Sequence, residues 1–269
     1  MSDEKIHTHI WLEEPEPDNP FATKSAHCHG YDVFGDMLGR ARWTEMLYLL
    51  FRGEAPAPEQ TALLETLAVA LANAGPRDPA VHAAMCGGVG GSPAASCLMA
   101  ALAVGAGQHT GAREVFTAIQ GWQVCGTDLG AWHSWFAEIQ QPERAGVWPI
   151  PEHAPGFDPN GASTATIVKQ TLDCLATMSP GPCLPWLARE REALETTASA
   201  TLSMTGVAAA ALADLGFSAD QGETLHLLLR LPGAAAHALE QRGYGLKKFP
   251  FYPVELTDDP AAKRSTEGT

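Results

Sequence analysis

The sequence is short of positive charge. Its 17 Lys+Arg stand against 31 Asp+Glu, a formal net charge of −14, which excludes a groove built to grip a polyphosphate backbone. Paired cysteines are missing as well. The six thiols, at Cys28, Cys86, Cys97, Cys125, Cys174 and Cys183, show no CxxC spacing and read as reduced, buried side chains of a cytoplasmic protein. The N-terminus, MSDEKIHTHIWLEEPEPD, carries acids where a secretory signal needs cations, so export by that route is not expected. The longest apolar run, Pro93 to Gly107, is too short to span a bilayer. Neither a nucleic acid nor a membrane is expected as a partner.

What the sequence does have is apolar, alanine-rich helical text. Apolar residues make up 45% of the chain and charged residues 18%, enough to bury a sizeable core. Ile6 to Leu12 alternates in the manner of a short strand, which Glu13 to Pro20 should break with three prolines. From Trp43 onward the pattern is helical. Thr44 to Arg52 stops at Gly53, Glu59 to Asn73 follows Pro58, and Ser92-Pro93 opens a helix over Ala95 to Ala106. Between Trp122 and Trp186 turn signals dominate, including Gln141-Pro142 and Trp148-Pro149-Ile150-Pro151, with one helix expected from Ser163 to Met178. Near the C-terminus Thr205 is expected to cap Val207 to Leu215. Ser218 and Gln221 form a capping box for a helix with a kink at Pro232 and a stop at Gly243. The expected class is all-α, with a short N-terminal β segment. Residues 113–189 are expected to form a small domain inserted into a large helical one made of residues 1–112 and 190–269.

Four blocks, in order, carry a family likeness. Lys24-Ser25-Ala26 and Gly30-Tyr31-Asp32 lead into Glu45 to Pro56; Gly105 to Glu114 reads GAGQHTGARE; Pro155-Gly156-Phe157-Asp158-Pro159 follows; and Leu212 to Phe217 precedes Arg230 to His237. Together these blocks resemble the citrate synthase superfamily, including its citryl-CoA lyase branch, and cover most of the chain from Lys24 to about Pro250. The resemblance implies an α-helical homodimer whose active site lies between a large and a small domain. It also implies a coenzyme A thioester as substrate, with a carbon–carbon bond made or broken through an enol or enolate, and no metal. That chemistry needs a proton acceptor, hydrogen-bond donors at the carbonyl oxygens and cations for carboxylates.

Carried over position by position, the resemblance puts His109 at the substrate carbonyl, within a glycine frame of Gly105, Gly107 and Gly111 that lets backbone approach a ligand. The thioester-side histidine of a DHG segment has no counterpart, because the chain reads Asn73-Ala74-Gly75 there; His82 lies eight residues further on and is read as a surface or core histidine. The aspartate base falls on Asp158 if a loop has been deleted and on Ala165 if it has not. Asp158-Pro159-Asn160-Gly161 is also a turn former in its own right. Gly156 is the cofactor-binding candidate of the third block, from which either register removes the segment that resembles a coenzyme A contact in relatives. Arg230 matches a carboxylate-binding arginine, with Arg113 and Lys248 as substitute cations for a second one, so the dicarboxylate clamp is incomplete. His29 stands where relatives have arginine and is a candidate to replace the lost histidine. His27, Cys28 and His29, with His7 and His9, offer zinc-ligand side chains, but no second ligand pair of definite spacing accompanies them. The expected function is an acyl-CoA-dependent carbon–carbon bond enzyme with an atypical carbonyl partner. The alternative is a catalytically degenerate paralogue that regulates a complete relative in a hetero-oligomer.

Overall fold

The computed structural model of the chain describes residues 6–139, 153–250 and 252–254. Its N-terminal segment is a hairpin of β1 (Trp11–Glu16) and β2 (Asn19–Cys28), to which β3 (Tyr31–Asp32) adds an edge. The expected break at Glu13 does not occur. Pro15 is accommodated because β1 is an edge strand and its register with β2 shifts on either side of that residue, so no ladder donor is missed. Asp32 then accepts the amides of Phe34 and Gly35 and closes a single wide turn over Val33–Met37.

Ten α-helices follow among the described residues. α1 (Trp43–Arg52) ends at Gly53 in the left-handed conformation. α2 (Pro58–Leu71) and α3 (Pro79–Val89) both start on a proline, where the absent N–H would have had no helical partner. Asp78 caps α3 by accepting from the amides of Ala80 and Val81 at 3.0 and 3.2 Å. α4 (Ala94–Gly105), α5 (Ala112–Cys125) and α6 (Leu129–Ile139) come next, and α7 (Thr166–Met178) starts three residues after the expected Ser163. The region between Trp122 and Trp186 is therefore more helical than its turn signals suggest, since the end of α5, all of α6 and the start of α8 (Cys183–Ala198) fall within it. The turns expected at Gln141-Pro142 and Trp148 to Pro151 lie outside the described residues. A two-residue pairing of β4 (Phe157–Asp158) with β5 (Thr201–Leu202) leads into α9 (Met204–Asp214), which begins ahead of Thr205 rather than at it. α10 (Ala219–Tyr244) carries the expected Ser218 and Gln221 capping box.

Two packing features shape the interior. α9 lies in the middle, with Val207 to Leu212 fully buried against α2, α5, α7, α8 and α10. Helix α10 runs through Pro232 and past Gly243 to Tyr244. Because Pro232 disturbs the local ladder, the Gly233 amide donates instead to the Ala72 carbonyl at the end of α2, 2.7 Å away. A side chain at Gly233 would collide with that carbonyl, so glycine allows α2 to end directly on α10. This junction, with the starts of α3, α5 and α9, encloses the principal candidate site.

Candidate functional site

A cavity of about 260 Å³ opens where these ends meet. Leu71, Asn73 and Ala74 enter from the end of α2, Asp78 from the cap of α3 and Thr110 from the loop before α5. Ile167 comes from α7, Ser203, Met204 and Thr205 from the start of α9, and His226 and Arg230 from one face of α10. The four-residue spacing of His226 and Arg230 places them one helical turn apart.

Arg230 is the cation of this cavity. Its Nη2 donates to Asp78 Oδ2 in an ion pair whose side chains are each 13% exposed, and its Nη1 lies 3.5 Å from both the Thr110 carbonyl and His226 Nε2. Burial, with the Arg230 charge beside it, pushes His226 down to about 3, so the imidazole is neutral at neutral pH. Ser203 and Thr205 share a hydrogen bond between their hydroxyls at 2.6 Å.

The His109 loop is tied to the same place by a buried carboxylate. Glu114, 3% exposed, accepts from the Thr110 amide at 2.7 Å through Oε2 and from the Gly156 amide at 2.8 Å through Oε1. The same Oε1 lies 3.6 Å from His153 Nε2, and the rings of His153 and His109 are 5.7 Å apart. Thr110 adopts a left-handed backbone at φ 57, which turns its carbonyl toward Arg230. Thr110 is thus held through its amide by Glu114 and meets Arg230 through its carbonyl.

The chain folds like a citryl-CoA lyase. The structure of citryl-CoA lyase from Hydrogenobacter thermophilus matches it with a TM-score of 0.68 and 17% identity, over 97% of this chain and 100% of that one. ATP citrate lyase from Methanosaeta concilii, in complex with (3S)-citryl-CoA, gives 0.72 and 13% over 98% of this chain. The Methanothrix soehngenii enzyme, in complex with citrate and coenzyme A, gives 0.69 and 14% over 97%. The chain spans only 44% and 43% of those two proteins. No protein-family model matches the sequence, and a search of curated proteins finds no match.

Within this citryl-CoA lyase-like fold the sequence-derived candidates separate. Arg230 lines the cavity, and His109 immediately precedes Thr110, which does. Asp158 is absent from the lining. Its Oδ1 accepts the Asn160 amide at 2.9 Å, while its backbone pairs with Thr201, two residues before Ser203 of the cavity wall. Gly105 packs on Ala80, and Gly107 supports Gly111 within the loop itself. Gly156, at φ +89, presses on Gly206 of α9, where an added Cβ would sit 2.8 Å from the Gly206 Cα. Arg113 lies over the Phe116 ring and reaches Glu223 at 3.4 Å. Lys248 sits over Tyr244 beside a separate cavity of about 500 Å³ shared with Arg77 and His82. His29 packs against Gly53 at the end of α1, away from the residues lining the smaller cavity.

Asp78, Glu114, His153, Ser203, Thr205 and His226 were not among the sequence candidates. Asp78 was legible as a cap, since Asp followed by Pro at a helix start is a strong signal. Glu114 is an ordinary first-turn acid by sequence. Only its burial shows that it ties its own loop to Gly156, 42 residues further along the chain.

Proposed function

We propose that this chain acts on a coenzyme A thioester, making or breaking a carbon–carbon bond between an acyl-CoA and a carbonyl compound. The observation that carries this reading is the convergence of Arg230 on the His109 loop at the mouth of a cavity, in a fold shared with proteins solved with citryl-CoA and with coenzyme A and citrate. In the cleaving direction a base takes the proton of the substrate hydroxyl and the carbon–carbon bond breaks. Its electron pair passes to the thioester as an enolate, which is then protonated at carbon. His109 donates to the carbonyl oxygen, and the Ser203 and Thr205 hydroxyls orient the substrate oxygen. Asp158 moves the α-proton, which in this direction is delivered to the enolate carbon. The cavity is smaller than the ~300–1,000 Å³ typical for drug-sized ligands, so it receives the reacting end of the thioester and leaves the nucleotide end outside. No metal is invoked.

The working unit in this reading is a homodimer. From Pro79 to Ala112 the chain has no Asp, Glu, Lys or Arg, and the outer face of α4 exposes Met99 and Val104, at 60% and 45%.

A second reading, a catalytically silent subunit that pairs with a complete relative, is favoured by one feature. The three candidate carboxylates, Asp78, Glu114 and Asp158, all accept backbone amides. Incubating the purified protein with 3-hydroxyacyl-CoA thioesters, and with acyl-CoA plus oxo-acids, separates the two. Condensation or cleavage that falls at least 100-fold in His109→Ala supports the enzyme, by the usual size of a lost polar catalytic group. Coenzyme A binding with no turnover across the panel, together with a co-purifying active relative, supports the silent subunit.

A further inference from the structure

An arginine beside a substrate cavity invites a carboxylate, yet Arg230 already faces one, that of Asp78. A carboxylate is gripped by two guanidinium N–H groups at once. Here Nη2 is taken by Asp78, and Nη1 faces the Thr110 carbonyl and the neutral His226. Asp78 cannot swing aside cheaply. Its second oxygen holds the first two free amides of α3, an 11-residue helix, and Pro79 fixes the backbone that follows. One carboxylate therefore neutralises both the guanidinium and the positive end of the helix.

The rest of the lining matches this neutrality. Asn73 offers an amide, Ser203 and Thr205 offer hydroxyls, and Leu71, Ile167 and Met204 are apolar. Among the described lining residues Arg230 is the only Lys or Arg, and it is paired.

We propose that Asp78 is a specificity-determining residue: it fills the anion-binding face of Arg230 and makes the cavity a site for an uncharged carbonyl or hydroxyl group with an apolar flank, in place of a polycarboxylate. This rests on the reading that the cavity receives the carbonyl partner of the thioester. It departs from the expectation that Arg230 itself binds a substrate carboxylate.

The test compares malonate with dimethyl malonate, which share a skeleton and differ in charge, by titration at neutral pH with amide chemical shifts as the readout. Wild type should bind the diester at least tenfold more tightly than malonate. Asp78→Asn keeps a good helix cap and removes the charge, and should reverse that preference, with malonate gaining at least tenfold. Asp78→Ser, a second capping side chain, should do the same and serves if the asparagine variant does not fold. Wild type that prefers malonate, or that binds neither compound, overturns the proposal. So does an unchanged preference in a folded Asp78 variant. These are binding measurements, so absence of acyl-CoA turnover would count against the proposed enzyme activity without touching this result.

Discussion

Two helices of similar composition meet opposite fates in this molecule. α4 has no charged residue and α9 ends in one, Asp214, so by sequence α4 is at least as suited to burial. In space the order is reversed. α9 is enclosed by five other helices and its Val207 to Leu212 segment is fully buried, whereas α4 rests on α3 and α10 and leaves Met99 and Val104 exposed. Hydrophobicity tells a helix to bury one face, but the number of neighbours it gains is set by where its ends are tethered. The start of α9 is tethered by β5, and Ser203 donates its amide to the Gly156 carbonyl at 3.0 Å.

The largest effect expected from this contrast is at Gly206. A valine there would push a Cβ into the Gly156 carbonyl and to 2.9 Å from Leu202 Cδ1, so Gly206→Val should cost about 3 kcal/mol or more in chemical denaturation, at the upper end for overpacking. A loss below about 1 kcal/mol would mean that α9 is not clamped as described.

Next in size is an acid effect at His226, on the α10 face that looks into the cavity. Its ordinary value is 6.5 and burial beside Arg230 brings it to about 3. Between those values the unfolded chain binds a proton that the folded chain refuses. Its neutral form therefore supports folding fully above pH 6.5, and that support drains away as the pH falls toward 3. At about 1.4 kcal/mol per unit, about 2 kcal/mol of it is lost by roughly pH 5. Urea midpoints at neutral pH and in mild acid should show a steeper acid loss for wild type than for His226→Gln.

Glu114→Gln should have a smaller effect, about 1–3 kcal/mol, because one of two buried amides loses its acceptor. In the proposed enzyme it should lower kcat more than it raises KM, since the His109 loop loses its anchor while the Arg230 side of the cavity is intact. An equal loss in both would reduce Glu114 to a packing role. Smallest in folding terms is the α4 face. Met99→Lys with Val104→Lys should change monomer stability by no more than about 0.5 kcal/mol. Sedimentation velocity should nonetheless show wild type as a dimer and the double variant as a monomer.

Much of the framework was legible in advance. Pro58, the Ser218 and Gln221 capping box and the Gly53 stop gave helix limits because each acts within one turn of chain. The all-α class followed from such local signals, and the resemblance to the citrate synthase superfamily from four motif blocks taken in order. Legibility failed where a local signal was overruled by a neighbour. Pro15 did not end β1 because an edge strand tolerates it, and beside Pro232, where a kink was expected, no local signal announced that the Gly233 amide would donate to the Ala72 carbonyl. Of the candidate site, Arg230 and the His109 loop were found from sequence. Asp158 was recognised as a turn former, and in the structure its carboxylate serves that turn.

The sequence by itself determined the helical periodicity, the acidic surface and the residues with chemistry to offer, because these depend on side-chain type and on spacing along a single turn. Tertiary structure alone decided which carboxylate faces Arg230 and which tethers the His109 loop. Asp78 and Arg230 lie 152 residues apart in sequence. Nothing within one helical turn of either could announce that their charges would cancel, because that outcome depends on a three-dimensional approach between chain segments, desolvated together, whose local texts carry no trace of each other.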